Sequence, residues 1–138
     1  MQDKIENNII ISKFDADEDV LSGLNILVDK YKIRAGFIDM GIGMIKNLKI
    51  GYWNFDKYEE LFIEERSELV AFHGSIADDK NRFHIHIGVA RKDHKLYGGH
   101  FFSGTADPLM EIKITKFDQA EFTRKYNPVS TLNELEIH

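Results

Sequence analysis

Hydrophobic positions along the chain follow two different periods, and one of them is confined to a single segment. Val20, Leu21, Leu24, Leu27, Val28 and Tyr31 recur at spacings of three and four, the stripe of an amphipathic helix with one buried face. Asp15 is the candidate cap, with Glu18 three residues on; Asp15, Asp17, Glu18 and Asp19 set negative charge against the positive end of the helix dipole. Lys30 and Lys32 set positive charge at the other end.

Elsewhere the apolar residues come in short β-like runs. Asn7 to Phe14 reads as a first, central strand with Ile9 and Ile11 on one face. After the helix follow Ile33 to Phe37, Leu48 to Trp53, Glu59 to Ile63, Leu69 to Phe72, Phe83 to Val89, Leu96 to Phe102 and Met110 to Phe117. Glycines punctuate these runs at positions such as Gly41, Gly43, Gly51, Gly74, Gly88, Gly98, Gly99 and Gly104. One helix followed by many strands predicts an α+β fold, with one main helix packed on a curved, mostly antiparallel sheet in which glycines mark bulges or corners. Lys125 to His138 contain Pro128 and little periodicity, and read as a terminal arm with a short turn of structure.

Composition narrows the class. The 138 residues suit one domain, spanning 1–138 with a core of about 7–133. The 43% hydrophobic and 30% charged content is that of an ordinary globular chain. There is no cysteine, so a metal site must be built from His, Asp or Glu. No apolar run approaches a signal sequence or a membrane span, which favours a cytoplasmic protein. Eighteen Lys and Arg against 23 Asp and Glu give a net charge of -5, an average field that repels a phosphate backbone. The basic clusters Lys46 to Lys49 and Arg91 to Lys95 are small enough to be solvated loops.

The main chemical signal is His84-Ile85-His86 followed by Gly98-Gly99-His100. Alternate residues of a strand share a face, so His84 and His86 point one way and Ile85 the other. If Arg91 to Lys95 is a hairpin loop centred on Asp93, His86 lies opposite His100 and the three imidazoles converge. Three neutral imidazoles suit Zn²⁺ or a similar divalent ion and leave a coordination position open. A register one residue different would turn His100 to the wrong face. The plainer reading is a pair of half-buried, hydrogen-bonded strand histidines. His73, on a face with Leu69 and Ala71, is a weaker candidate, and Glu68 and Glu111 are candidates for a supporting carboxylate beside a metal. The catalytic residues, if the protein is an enzyme, are unknown at this point.

Phe83-His84-Ile85-His86-Ile87, a polar turn, Gly98-Gly99-His100-Phe101 and then Glu111-Ile112 are similar to the signature of the plants and prokaryotes conserved domain family. The glycine-rich Ala35 to Met44, the Glu68-Leu69 strand and Phe122 with Arg124 extend the resemblance over roughly residues 7 to 133. The resemblance implies that family's α+β fold and a homotrimer. It also implies that His84, His86 and His100 form a metal or ligand site, with Arg124 among the candidates around it. The arrangement also looks like the zinc site of α-acetolactate decarboxylase, an analogy that supports a metal more than a reaction. Plant members carry an AT-hook that enters the minor groove of DNA; no such Arg-Gly-Arg-Pro segment occurs in these residues. Three readings stay open. One is a trimer whose histidines bind zinc and a small anionic or carbonyl-bearing ligand; another is a DNA-associated regulator; the third is an assembly module without chemistry.

Overall fold

The computed structural model describes residues 1–138. The apolar stripe forms helix α1, Val20–Tyr31, which buries Val20, Gly23, Leu24, Leu27 and Val28. Its N-cap is Asp19, whose side chain accepts from the Ser22 amide, so the cap falls four residues beyond the predicted Asp15. The Asp15–Glu18 pair instead closes the preceding turn: the Asp15 amide donates to Glu18, and both carboxylates receive the N-terminal ammonium. Lys32 ends the helix in the left-handed conformation.

Nine strands make up most of the remainder. In chain order they are β1 (Gln2–Glu6), β2 (Ile9–Phe14), β3 (Ala35–Trp53), β4 (Tyr58–Ile63), β5 (Ser67–Ala77), β6 (Phe83–Ala90), β7 (Leu96–Lys116), β8 (Phe122–Asn127) and β9 (Leu132–Ile137). Seven form one antiparallel sheet in the order β1-β2-β7-β6-β5-β3-β4, and β3 also pairs with β7. The pairings therefore close a ring through β3, β7, β6 and β5. Twenty-three buried apolar residues form the principal core, among them Phe14, Leu24, Ile38, Phe72, Ile85 and Ile112.

The predicted α+β class is corrected by these pairings. Strand accounts for 64% of the chain and the single short helix for 9%, which makes the fold β-rich and mostly antiparallel. Runs expected to end at glycines continue through them. β3 joins the predicted Ile33–Phe37 and Leu48–Trp53 segments into one strand, with register shifts at Ile38/Met40, Gly43/Ile45, Lys46/Lys49 and Lys49/Ile50. β7 likewise joins Leu96–Phe102 to Met110–Phe117. Both strands are paired along both edges, so the ladder satisfies the backbone where local propensity is poor. Gly43 sits at φ +122 inside one such irregularity, with the Leu109 carbonyl where a side chain would stand.

Two segments without a clear apolar period are also strands. β1 folds back on β2 through a turn at Asn7, which has positive φ. The expected terminal arm is a β8–β9 hairpin, tied to the main body by the Phe122 amide donating to Arg34 and by Asp78 donating to the Phe122 carbonyl. In β2, Ile10, Ser12 and Phe14 face the core, leaving Ile9 and Ile11 together on the outer face.

Candidate functional site

Strand alternation sends Ile85 and Ile87 of β6 into the core and His84 and His86 out of it. The β6–β7 ladder runs without a shift from Ala90↔Leu96 to His86↔His100, the register expected from a loop centred on Asp93. His94 lies in that loop, in the left-handed conformation. Gly98 and Gly99 introduce no bulge there. Gly99 is needed because β3 passes close by: a Cβ would stand 2.6 Å from the Gly51 carbonyl oxygen.

The result is a cluster in which one ring nitrogen from each of His84, His86 and His100 lies within 4.8 Å of the others. Ring centroids are separated by 5.0, 5.4 and 5.9 Å. His100 is the most enclosed, with Tyr58 and Phe102 each 5.1 Å away. Its Nδ1 is buried with no hydrogen-bond partner. Burial, reinforced by the neighbouring imidazoles and Arg124, pushes its pKa down to about 4. His84 and His86 open toward solvent but are also lowered, first by desolvation; His86 adds to the effect on His84, and His73 to that on His86. Three unprotonated imidazoles with their lone pairs gathered together form a group that can hold a metal ion.

The other predicted residues fall in different places. His73 stands directly across β5–β6 from His86, on the same face, but outside the three-nitrogen cluster. Its supposed companion Leu69 does not share that face, because a register shift between Leu69 and Ala71 turns Leu69 into the core. Glu68 pairs with Ala90, at the opposite end of β6 from His84, and takes no part in the cluster. Glu111 lies far along β7 from His100, between Lys13 and Ile42 on the outer face. Arg124, on β8, does line the site. Its Nε donates to the Asn81 carbonyl at 2.8 Å, and its Nη2 donates to Ser75 Oγ at 2.9 Å and to the Ser75 carbonyl at 3.3 Å.

These groups surround a cavity of about 700 Å³, within the range of roughly 300–1,000 Å³ usual for small-molecule sites. Trp53 and Tyr58 line it from the β3–β4 hairpin, and Leu132 to Leu135 from β9. Sequence periodicity gave no access to either wall. Trp53↔Tyr58 pairing could be guessed from the polar turn Asn54 to Lys57, but its arrival beside His100 depends on β3 pairing with β7, a contact between distant segments.

The model of the Plants and Prokaryotes Conserved (PCC) domain matches residues 1–118. Among solved structures, the chain resembles a candidate DNA-binding protein from Bacteroides thetaiotaomicron, with a TM-score of 0.89, 25% identity and coverage of 98% of this chain and 96% of that one. A metal-containing protein from Archaeoglobus fulgidus superposes with a TM-score of 0.83 at 20% identity, covering 96% of this chain and 95% of the other. A plant- and prokaryote-conserved protein from Pyrococcus horikoshii gives 0.82 at 20% identity over 96% and 93%. The chain is also 26% identical over 121 residues to the bifunctional protein GlmU of a Synechococcus strain, spanning 19% of that protein's length. None of the chain's helices is long and apolar enough to cross a membrane.

Proposed function

The chain belongs to the Plants and Prokaryotes Conserved (PCC) domain family, and from that premise we propose a homotrimeric protein whose His84, His86 and His100 hold one divalent metal ion, zinc by preference, and through it a small ligand. The observation that carries this reading is the convergence of three imidazoles, one of which, His100, also has a buried Nδ1 without a hydrogen-bond partner. A buried polar atom without a partner costs about 1–3 kcal/mol, and a cation held through that nitrogen would relieve the cost. The donor set fits zinc: imidazoles only, in a chain without cysteine, with lowered pKa values that leave the nitrogens free to donate. When bound, such an ion supplies Lewis acidity toward a small anionic or carbonyl-bearing molecule. The chain's own contribution is to position that molecule: Arg124 and Tyr58 stand at the cavity wall.

The metal-containing relative from Archaeoglobus supports the reading at the level of a shared fold. The candidate DNA-binding relative supports a different one. Against it stand the net charge of -5 and the concentration of distinctive chemistry in a cavity rather than on a basic surface.

The test is metal content by plasma mass spectrometry in tag-free protein supplied with zinc and then dialysed. One equivalent in the parent and in His94→Ala, with loss in His86→Ala whose circular dichroism is unchanged, is the expected result. A metal-free parent, or equal loss in the two variants, would remove the three-histidine site.

A further inference from the structure

Arg124 is the only side chain lining the cavity that carries a fixed positive charge. It is half-buried, and desolvation lowers its pKa from the usual arginine value. Its three hydrogen bonds all go to neutral acceptors, the Asn81 carbonyl, the Ser75 carbonyl and Ser75 Oγ. These bonds use Nε and Nη2 and leave Nη1 without a protein partner. Asp79 is near enough to be felt as a charge but forms no salt bridge with it. Glu134 lines the same cavity, yet its carboxylate already accepts from Asn127 and Ser130. A guanidinium held in a partly desolvated site without a salt-bridge partner leaves its Nη1 free for an anionic ligand, although Asp79 and Glu134 temper the charge that such a ligand meets.

A second donor in the same wall is unpaired. Trp53 Nε1 is buried without a hydrogen-bond partner, and the Trp53 ring packs on Tyr58 with centroids 5.1 Å apart. Tyr58 in turn lies over His100. An indole N–H can only donate, so its natural partner is also an acceptor.

We propose that this cavity binds a small monocarboxylate with a flat apolar body, whose carboxylate is recognised by Arg124 with Trp53 as a second donor and whose body lies against the aromatic wall. This deepens the three-histidine reading by naming the ligand class, but the recognition itself rests on Arg124 and requires no metal. A singly charged ligand matches the single guanidinium of the lining, since the Glu134 carboxylate in the same wall would repel a second negative charge. A phosphate dianion would need further cationic groups, and no lysine or second arginine lines the cavity. Arg124 also lies beyond residue 118, where the family-model match ends, so the charge is supplied by the β8–β9 hairpin rather than by the matched segment.

The probes are benzoate, its neutral near-isostere benzamide, and phenyl phosphate, titrated calorimetrically into tag-free full-length protein. Each titration is done after chelator treatment and again after zinc loading. Benzoate is expected to bind the chelator-treated protein about 10-fold or more tightly than benzamide, the size of one charge-assisted hydrogen bond. Arg124→Gln should abolish that preference while leaving zinc content unchanged, and Arg124→Lys should restore part of it. Because Arg124 also braces Ser75 and Asn81, the parent's own benzoate-over-benzamide ratio and the milder Trp53→Phe variant, which should weaken benzoate binding selectively, decide the matter if Arg124→Gln does not fold. Equal binding of benzoate and benzamide, no benzoate binding, or tighter binding of phenyl phosphate would overturn the inference. Failure of the metal reading looks different: zinc is not retained, yet the benzoate preference persists in the chelator-treated protein.

Discussion

His100 shows how environment, rather than residue type, decides what a side chain can do. Its ring is enclosed by Tyr58, Phe102 and the other two histidines, and burial keeps it neutral where a solvent-exposed histidine would begin to charge. His94, six residues earlier in sequence, sits exposed at a loop and has none of these neighbours. Asp3 is the opposite case. It accepts from Lys30 Nζ at 2.6 Å and Tyr31 Oη at 2.5 Å, and these bonds, Lys30 first, hold its carboxyl below the usual range. Because the folded pKa is the lower one, the stabilisation is present above the unfolded value near 3.8 and is lost as pH falls through the folded value. Asp3→Asn should therefore lower the melting temperature by about 2–4 °C at neutral pH and flatten the fall below pH 4. Parallel thermal melts from pH 7 to pH 3 check this, and identical profiles for parent and variant would contradict it.

At the scale of elements, the backbone ladder explains both what the chain's periodicities announced and what they concealed. α1 was legible because its stripe is complete, and the β6–β7 hairpin because a polar loop separates two alternating runs. The histidine face was legible for the same reason: period two and one register fix it. By apolar period alone β3 and β7 read as fragments, because glycines, and Pro108 in β7, interrupt them, whereas pairing on both edges carries the strands through. The error in fold class has the same origin, since the β8–β9 hairpin and β1 also draw their stability from pairing and docking rather than from an apolar period. Two glycines of one hairpin separate these effects. Gly99→Ala would press a Cβ against the Gly51 carbonyl, while a Cβ on Gly88 meets only Ala71 at an ordinary 3.6 Å. Denaturant titration should show Gly99→Ala destabilised by about 1–3 kcal/mol and Gly88→Ala changed by less than about 1 kcal/mol. Equal effects would mean that β3 does not approach β7 as described.

For the whole molecule, the outer face of β2, β7 and β3 is the part least explained by a lone chain. Ile11, Lys113 and Met40 lie in register across it, as do Lys13, Glu111 and Ile42, and Ile11 is 57% exposed and Ile42 52%. A proposed homotrimer would cover such a face and bury more than the roughly 1,000 Å² of a stable interface. Light scattering at micromolar concentration should give three times the 16.0 kDa chain mass, and a monomer would remove the trimer from the account. DNA binding, if measured, should be weak and fall steeply with added salt, because a net charge of -5 leaves only scattered cations for phosphate contacts. Tight sequence-specific binding by the isolated protein at physiological salt would show that argument wrong. An anomalous-scattering map at the zinc edge, from crystals of tag-free, zinc-supplied protein, locates any ion that the three histidines hold. A single strong peak about 2.0–2.1 Å from one ring nitrogen of each of His84, His86 and His100 is the predicted result; no peak there, or a peak bound through His94 or His138 instead, would contradict it.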